Sequence, residues 1–268
     1  MQKSTIILPD HIRDNQVIDA GLSAWVHRLD AVVKSFPSNG AGERATETAV
    51  YKRLGLEKTW PRGILRFYGI LDDLSVVLQH APNGSIRSYL KRHPYIALST
   101  KLRWAEQVTS AIAILHSNNI LHCDLSCNNM FLDESLNALL GDFAGASIDG
   151  SECSSWYETS HCPPDLMAPS TKTEIFALGS TLFEILLQQR PFEGVSEHEI
   201  EDALRLGQFP SLDSLPALRV PIAKCWDGEY ERINELLADI KKEGKSYQSG
   251  VSITLIYHDK SRQFHLPR

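Results

Sequence analysis

From Ser99 to about Asn118, apolar residues recur at intervals of three and four, at Leu102, Ala105, Val108, Ile112 and Leu115. This spacing predicts a long helix with one buried face. A second run, Thr171 to Leu187, carries Phe176, Leu178, Leu182, Ile185 and Leu186, and opens with Thr171 and Glu174 at capping-box spacing. Three more helical patterns follow: one opening on Ser196 and Glu199, one over Arg219 to Trp226, and one with Ile233, Leu236, Leu237 and Ile240 that is expected to stop near Gly244. The first hundred residues read differently. Short apolar runs within 16–34, 64–70 and 74–81 predict strands, the last closed by the turn Pro82-Asn83-Gly84-Ser85. Between them, only 45–54 has helical spacing, with Val50 and Leu54 four apart and Gly55 as a stop. Strands with one helix followed by mostly helices predict an α+β chain in two parts. The stretch 251–257 alternates partly like a strand and receives no role.

Between the long helix and the next short apolar run lies His122-Cys123-Asp124-Leu125-Ser126-Cys127-Asn128-Asn129, and thirteen residues on stands Asp142-Phe143-Ala144-Gly145. Three oxygen-bearing side chains are thus delivered by one loop and one strand end. Asp124 suits acceptance of a hydroxyl proton, while Asn129 and Asp142 are hard oxygen ligands suited to Mg²⁺ against nucleotide phosphates.

These residues resemble the protein-kinase motifs H-R-D-L-x-x-x-N and D-F-G, with Cys123 in place of arginine and Ala144 in place of glycine. The resemblance runs over about 16–242. Residues 16–34 resemble the glycine-rich hairpin and third strand: Gly21 and Val26 remain of G-x-G-x-x-G-x-V, with Ala24 and Asp19 as departures, and Lys34 ends an Ala-Val-Val run as the V-A-I-K lysine does. An Asp19 carboxylate about 8 Å from the phosphates would cost on the order of 2 kcal/mol per charge, so it is expected to point outward. Glu47 matches the helix glutamate that pairs with that lysine; the alternative is a solvated first-turn acid. The resemblance places Leu78 as gatekeeper, backbone groups of Gln79 to Ala81 on adenine, and Ile18, Gly21, Ala24, Val26 and Lys34 around ATP. Glu174 matches the acid that anchors the catalytic-loop backbone, and Pro163-Pro164-Asp165 a variant A-P-E.

What the resemblance implies is a two-lobed protein-kinase-like fold: a lead-in at 1–15, an N-lobe at about 16–80, a hinge at about 79–84, a C-lobe at about 85–244 and a tail at 245–268. It implies an ATP- and Mg²⁺-dependent kinase acting on a protein substrate, with serine or threonine favoured and tyrosine open, because Leu-Ser-Cys-Asn-Asn is closer to the tyrosine-kinase texture. A pseudokinase or nucleotide-binding scaffold, and a small-molecule phosphotransferase, are the alternatives. Cys123 removes the cation that would hold a phosphorylated activation segment, so activity is expected not to depend on such a phosphate. Ala144 would cost roughly 1 kcal/mol only if a left-handed backbone were required there. Tyr157 is expected to pack rather than to accept phosphate.

Composition narrows the setting. The 268 residues suit one two-lobed unit, and 43% hydrophobic content supports a sizeable core. A net charge of −6 and a pI near 5.9 argue against nucleic acid or anionic membrane as general partners. Five cysteines without paired secretory spacing, a start too short in apolar residues for a signal peptide, and no long apolar stretch lead to the expectation of a reduced, intracellular, cytoplasmic protein without a membrane span.

Overall fold

The structure is a computed structural model that describes residues 5–6, 17–20, 25–27, 29–56, 59–73, 75–164, 168–249 and 262–263, with the strands before residue 28 and after 261 described by backbone alone. Four strands form an antiparallel sheet in the order β1-β5-β6-β4: β1 Thr5–Ile6, β5 Phe67–Asp72, β6 Ser75–Gln79 and β4 Ala31–Ser35. Within the lead-in, Thr5–Ile6 therefore supply an edge strand. The hairpin β2 Val17–Ala20 and β3 Trp25–His27 pairs in register Ala20↔Trp25. Residues 21–24, and with them Gly21 and Ala24, lie outside the described residues.

Among the described residues of this lobe one helix is found, α1, which runs Ala41–Leu54, four residues longer at its start than the apolar spacing predicts. Gly40 closes a turn onto Pro37 O at 2.8 Å and its own carbonyl accepts from Arg44 N, so the polar sequence 41–44 is drawn into the helix. Glu47 consequently sits in the second turn, fully buried, which removes the solvated first-turn reading.

The larger lobe is helical. Helix α2 Ile86–Arg92 is capped by the Ser85 side chain on Ser88 N. Helix α3 Leu98–Ser117 buries all five residues of its predicted stripe together with Trp104. Helix α4 Thr171–Leu187 is apolar nearly all round and correspondingly buried at fourteen positions, which makes it the centre of the lobe. Its cap differs from the expected one. Ser170 and Thr173 form the capping box, releasing Glu174 for another task. At Gly179 the backbone of α4 approaches α6 Arg219–Trp226 so closely that an added Cβ would lie 2.6 Å from Cys225 Cβ.

The remaining C-lobe elements are α5 Glu197–Arg205, with its Ser196/Glu199 capping box as predicted, β11 Gln208–Phe209, and α7 Ile233–Gln248 packed on α3. Helix α7 passes through Gly244 instead of stopping there; one interior glycine costs only about 1 kcal/mol, and three helix-compatible residues, Lys245, Ser246 and Tyr247, follow it. In the tail, β12 Arg262–Gln263 pairs parallel with β11, while 251–257 lie outside the described residues. Two short strand pairs complete the lobe boundary: β7 Ile120–Leu121 with β10 Ser147–Ile148, and β8 Met130–Leu132 with β9 Ala138–Leu140. Among the described residues no helix is long and apolar enough to cross a membrane.

Candidate active site

Lys34, at the inner end of β4, donates to Glu47 Oε2 at 2.6 Å and to Asp142 Oδ1 at 2.7 Å. One ammonium therefore joins the sheet, helix α1 and the loop after β9. Glu47 is fully buried, whereas the Asp142 side chain keeps 42% of its exposure. Burial pushes the Lys34 ammonium down, but the two carboxylates together overcome it and hold the ammonium above its ordinary value. Burial raises Glu47, against the attraction of Lys34. The pair is a desolvated ion pair, held because each partner would be costly without the other.

The second half of the site is the loop between β7 and β8. Asn129 Nδ2 donates to Asp124 O at 2.7 Å and to Asp124 Oδ2 at 3.0 Å, which aims the carboxylate and leaves Asn129 Oδ1 as an acceptor. The backbone of this loop is fixed from below. Glu174 Oε1 accepts from His122 N at 2.7 Å and Cys123 N at 2.9 Å, and its Oε2 meets His116 Nε2 at 2.8 Å. Glu174 thus performs the anchoring expected of it. His122 accepts from Asp124 N at Nδ1, so the proton sits on Nε2, which donates to Gly141 O at 3.0 Å. That bond ties the Asp124 loop to the strand end carrying Asp142.

Asp142 has φ 61, in the left-handed region, while Ala144 does not, so the glycine-to-alanine change carries no backbone penalty. Phe143 is fully buried and packs edge-on against Tyr51 of α1 at 5.0 Å and against His122 at 5.4 Å. Its ring connects α1 to the catalytic loop and holds Asp142 facing Lys34. Leu78 of β6 is buried. The amides of Gln79 and His80 donate to Arg66 O and Asp30 O, so these two groups are already engaged in the sheet. Ala81 O accepts from Gly84 N. Ile18 and Val26 fall on the β2–β3 hairpin, described by backbone alone. Tyr157 is 5% exposed with its hydroxyl 3.4 Å from Thr173, which fits the packing role expected of it.

Two features were not legible in the sequence. Arg87 of α2 makes a two-pronged pair with Glu184 of α4 at 2.7 Å and reaches Glu158 at 2.5 Å, clamping the segment after β10 to the helical core. The other is a correction: Cys123 and Cys153 are joined by a disulfide, so the expectation of five reduced cysteines fails for this pair. Spacing along the chain gave no sign of it, because the two are brought together only when the segment folds back over the catalytic loop.

The protein kinase domain family matches residues 32–236. The cell cycle serine/threonine-protein kinase CDC5/MSD2 of Saccharomyces cerevisiae is 28% identical over 159 residues, covering 54% of this chain and 22% of that protein. The serine/threonine/tyrosine-protein kinase HT1 of Arabidopsis thaliana is 25% identical over 194 residues, 67% of this chain and 50% of that protein. The human ankyrin repeat and protein kinase domain-containing protein 1 is 26% identical over 248 residues, 83% of this chain and 30% of that protein. The chain thus spans half or less of these relatives' lengths. With a match across most of its length and the family's motif residues drawn together by the fold, this chain belongs to the protein kinase domain family.

Proposed function

We propose that the chain is a protein kinase that transfers the γ-phosphoryl group of ATP to a serine or threonine hydroxyl of a protein substrate. The observation that carries this is the pair of hydrogen bonds that Lys34 donates to Glu47 and Asp142, made while Asn129 holds the Asp124 carboxylate in place. The donor set fits Mg²⁺: the exposed Asp142 carboxylate and Asn129 Oδ1 are the hard oxygens that ion takes. Mg-ATP would supply the electrophilic phosphorus and neutralise charge on the phosphates. Lys34 would hold the α- and β-phosphates, and Leu78 with backbone groups of Gln79 to Ala81 would meet the adenine; the resemblance assigns Ile18, Gly21, Ala24 and Val26 to the same nucleotide. Asp124 orients the acceptor hydroxyl and takes its proton. Serine or threonine is favoured by the relatives: the yeast protein is a serine/threonine-protein kinase and the Arabidopsis protein a serine/threonine/tyrosine-protein kinase.

The test is transfer from γ-labelled ATP to a mixture of generic protein acceptors, with Mg²⁺ and after chelation by EDTA, followed by acid hydrolysis of the product. Transfer that vanishes with EDTA and yields phosphoserine or phosphothreonine is expected. Nucleotide binding without transfer would move the reading to a scaffold, and phosphate on metabolites alone to a small-molecule phosphotransferase.

Burial lifts the Asp124 carboxyl above its ordinary value of 3.8, the negative charges of Asp142 and Glu158 adding to it and the Asn129 bond opposing. A base must be ionised to work, so transfer falls as pH drops through that raised value. The acid limb of kcat against pH is therefore expected above 3.8. A limb at or below 3.8 would remove Asp124 from the role.

A further inference from the structure

Cys123 immediately precedes Asp124 and is fully buried, while Cys153 is partly exposed in the segment after β10. Cys127, Cys162 and Cys225 are free. The position of the bridge gives it leverage on the site. At one end, Cys123 N is held by Glu174 and so by the buried core of α4. At the other, Ser154 donates from N to Gly145 O and from Oγ to Ala144 O, both at 3.3 Å. A Cβ on Gly145 would lie 1.5 Å from Ser155 Oγ, so the segment rests on the Asp142–Gly145 loop with no spare room. The bridge therefore links the loop bearing Asp124 to the segment that packs on the Asp142 loop.

We propose that Cys123 and Cys153 are a reversible thiol-oxidation site whose disulfide holds segment 145–158 in the assembled arrangement, and whose reduction releases the segment and lowers turnover. The consequence for turnover rests on the kinase reading above; the bridge and its hold on the segment rest on the geometry alone. The Cα atoms are 6.4 Å apart, within the span a disulfide covers without backbone movement. Hydrogen peroxide is the oxidant. The Cys153 thiolate, the more accessible of the two, attacks peroxide; an S–O bond forms, the O–O bond breaks and hydroxide leaves, taking up a proton to become water. The Cys123 thiolate then displaces the sulfenic oxygen, forming the S–S bond and releasing a second water. Two thiols and one peroxide give one disulfide and two waters. A dithiol reverses this by two exchange steps, becoming a cyclic disulfide as both cysteines recover their protons. A covalent tether thus occupies the place where the family pattern has an arginine to bind a segment phosphate.

The experiment compares the full chain treated with peroxide and with dithiothreitol, each desalted. Three quantities are read: chymotryptic peptides after alkylation in denaturant, hydrogen exchange over 145–158, and phosphate transfer. Expected from the oxidised form are a 123–153 crosslinked peptide, three alkylated cysteines of the five, and slower exchange in the segment. Reduction should lower turnover by at least about fivefold, the lower end of ordinary coupling between sites. Cys153→Ser should behave as the reduced protein under both treatments, and Cys162→Ser should keep the difference. Five alkylated cysteines after oxidation, or equal exchange in the two forms, would overturn the proposal, as would equal turnover in forms that both transfer phosphate. If neither form transfers phosphate while exchange still differs, the bridge stands and the kinase reading fails.

Discussion

Asp124→Asn is expected to lower phosphate transfer by about 10²- to 10⁴-fold, the usual contribution of a positioned general base, with little change in nucleotide affinity. The amide is nearly isosteric with the carboxylate, and its oxygen can still accept the bond that Asn129 Nδ2 makes to Asp124 Oδ2. The second bond from Asn129 goes to the Asp124 backbone carbonyl and does not depend on the side chain. Glu174 continues to hold His122 N and Cys123 N, so the loop keeps its path. What is lost is the capacity to take the acceptor's proton, together with one negative charge near Asp142. Residual transfer in the variant should lose the acid limb attributed to Asp124, because the amide does not titrate. Steady-state kinetics with one protein acceptor, alongside nucleotide titration of both forms, reads the result. Turnover within tenfold of the unaltered chain would take the base role from Asp124 and leave it a loop-forming residue.

The catalytic constellation was legible because each member sits in a short pattern whose chemistry is local. Asp124 and Asn129 share one loop, Asp142 closes a strand, and Lys34 ends another. Glu174 could be read as an acid inside an apolar helix, although its expected capping partner was wrong. Ser170, Thr171 and Thr173 all lie at the helix start, and spacing does not decide which hydroxyl caps. The overrun of α7 through Gly244 has a similar cause: a weak local stop competes with helix continuation, and the helix wins. Cys153 and Arg87 act through partners 30 and 97 residues away, and nothing near them in the chain points to those partners. A signal for the second pair did exist on the other side. Glu184 interrupts Leu182-Phe183 and Ile185-Leu186-Leu187 within a helix apolar on every face, and a carboxylate placed there requires a buried cation.

Arg87→Met should destabilise the fold by about 3–5 kcal/mol, the cost of stranding one member of a buried ion pair. The Glu184 side chain is 3% exposed and both its oxygens accept from the guanidinium, so removing the cation leaves a carboxylate without its charge partner in the centre of the lobe. Glu158, at 26% exposure, can turn to water and should suffer less. At about 2–4 °C per kcal/mol for a chain of this size, the thermal midpoint should fall by about 6–20 °C. The acid dependence of stability is also expected to weaken. In the intact cluster, burial raises Glu158 but the Arg87 bond overcomes it and holds the carboxyl below its ordinary 4.5. Such a group stabilises the fold above 4.5, and that contribution is lost as pH falls through the lowered value. Without Arg87 the bond that lowers Glu158 is gone, so that contribution to the pH dependence should be absent from the variant. Arg87→Met combined with Glu184→Leu removes both charges and should recover more than half of the loss, as apolar replacement of whole buried pairs commonly does. Thermal melts of the parent and the two variants across neutral to mildly acidic pH decide it. A single variant that melts within 2 °C of the parent, or a double variant worse than the single by an additive amount, would reduce the cluster to a surface contact.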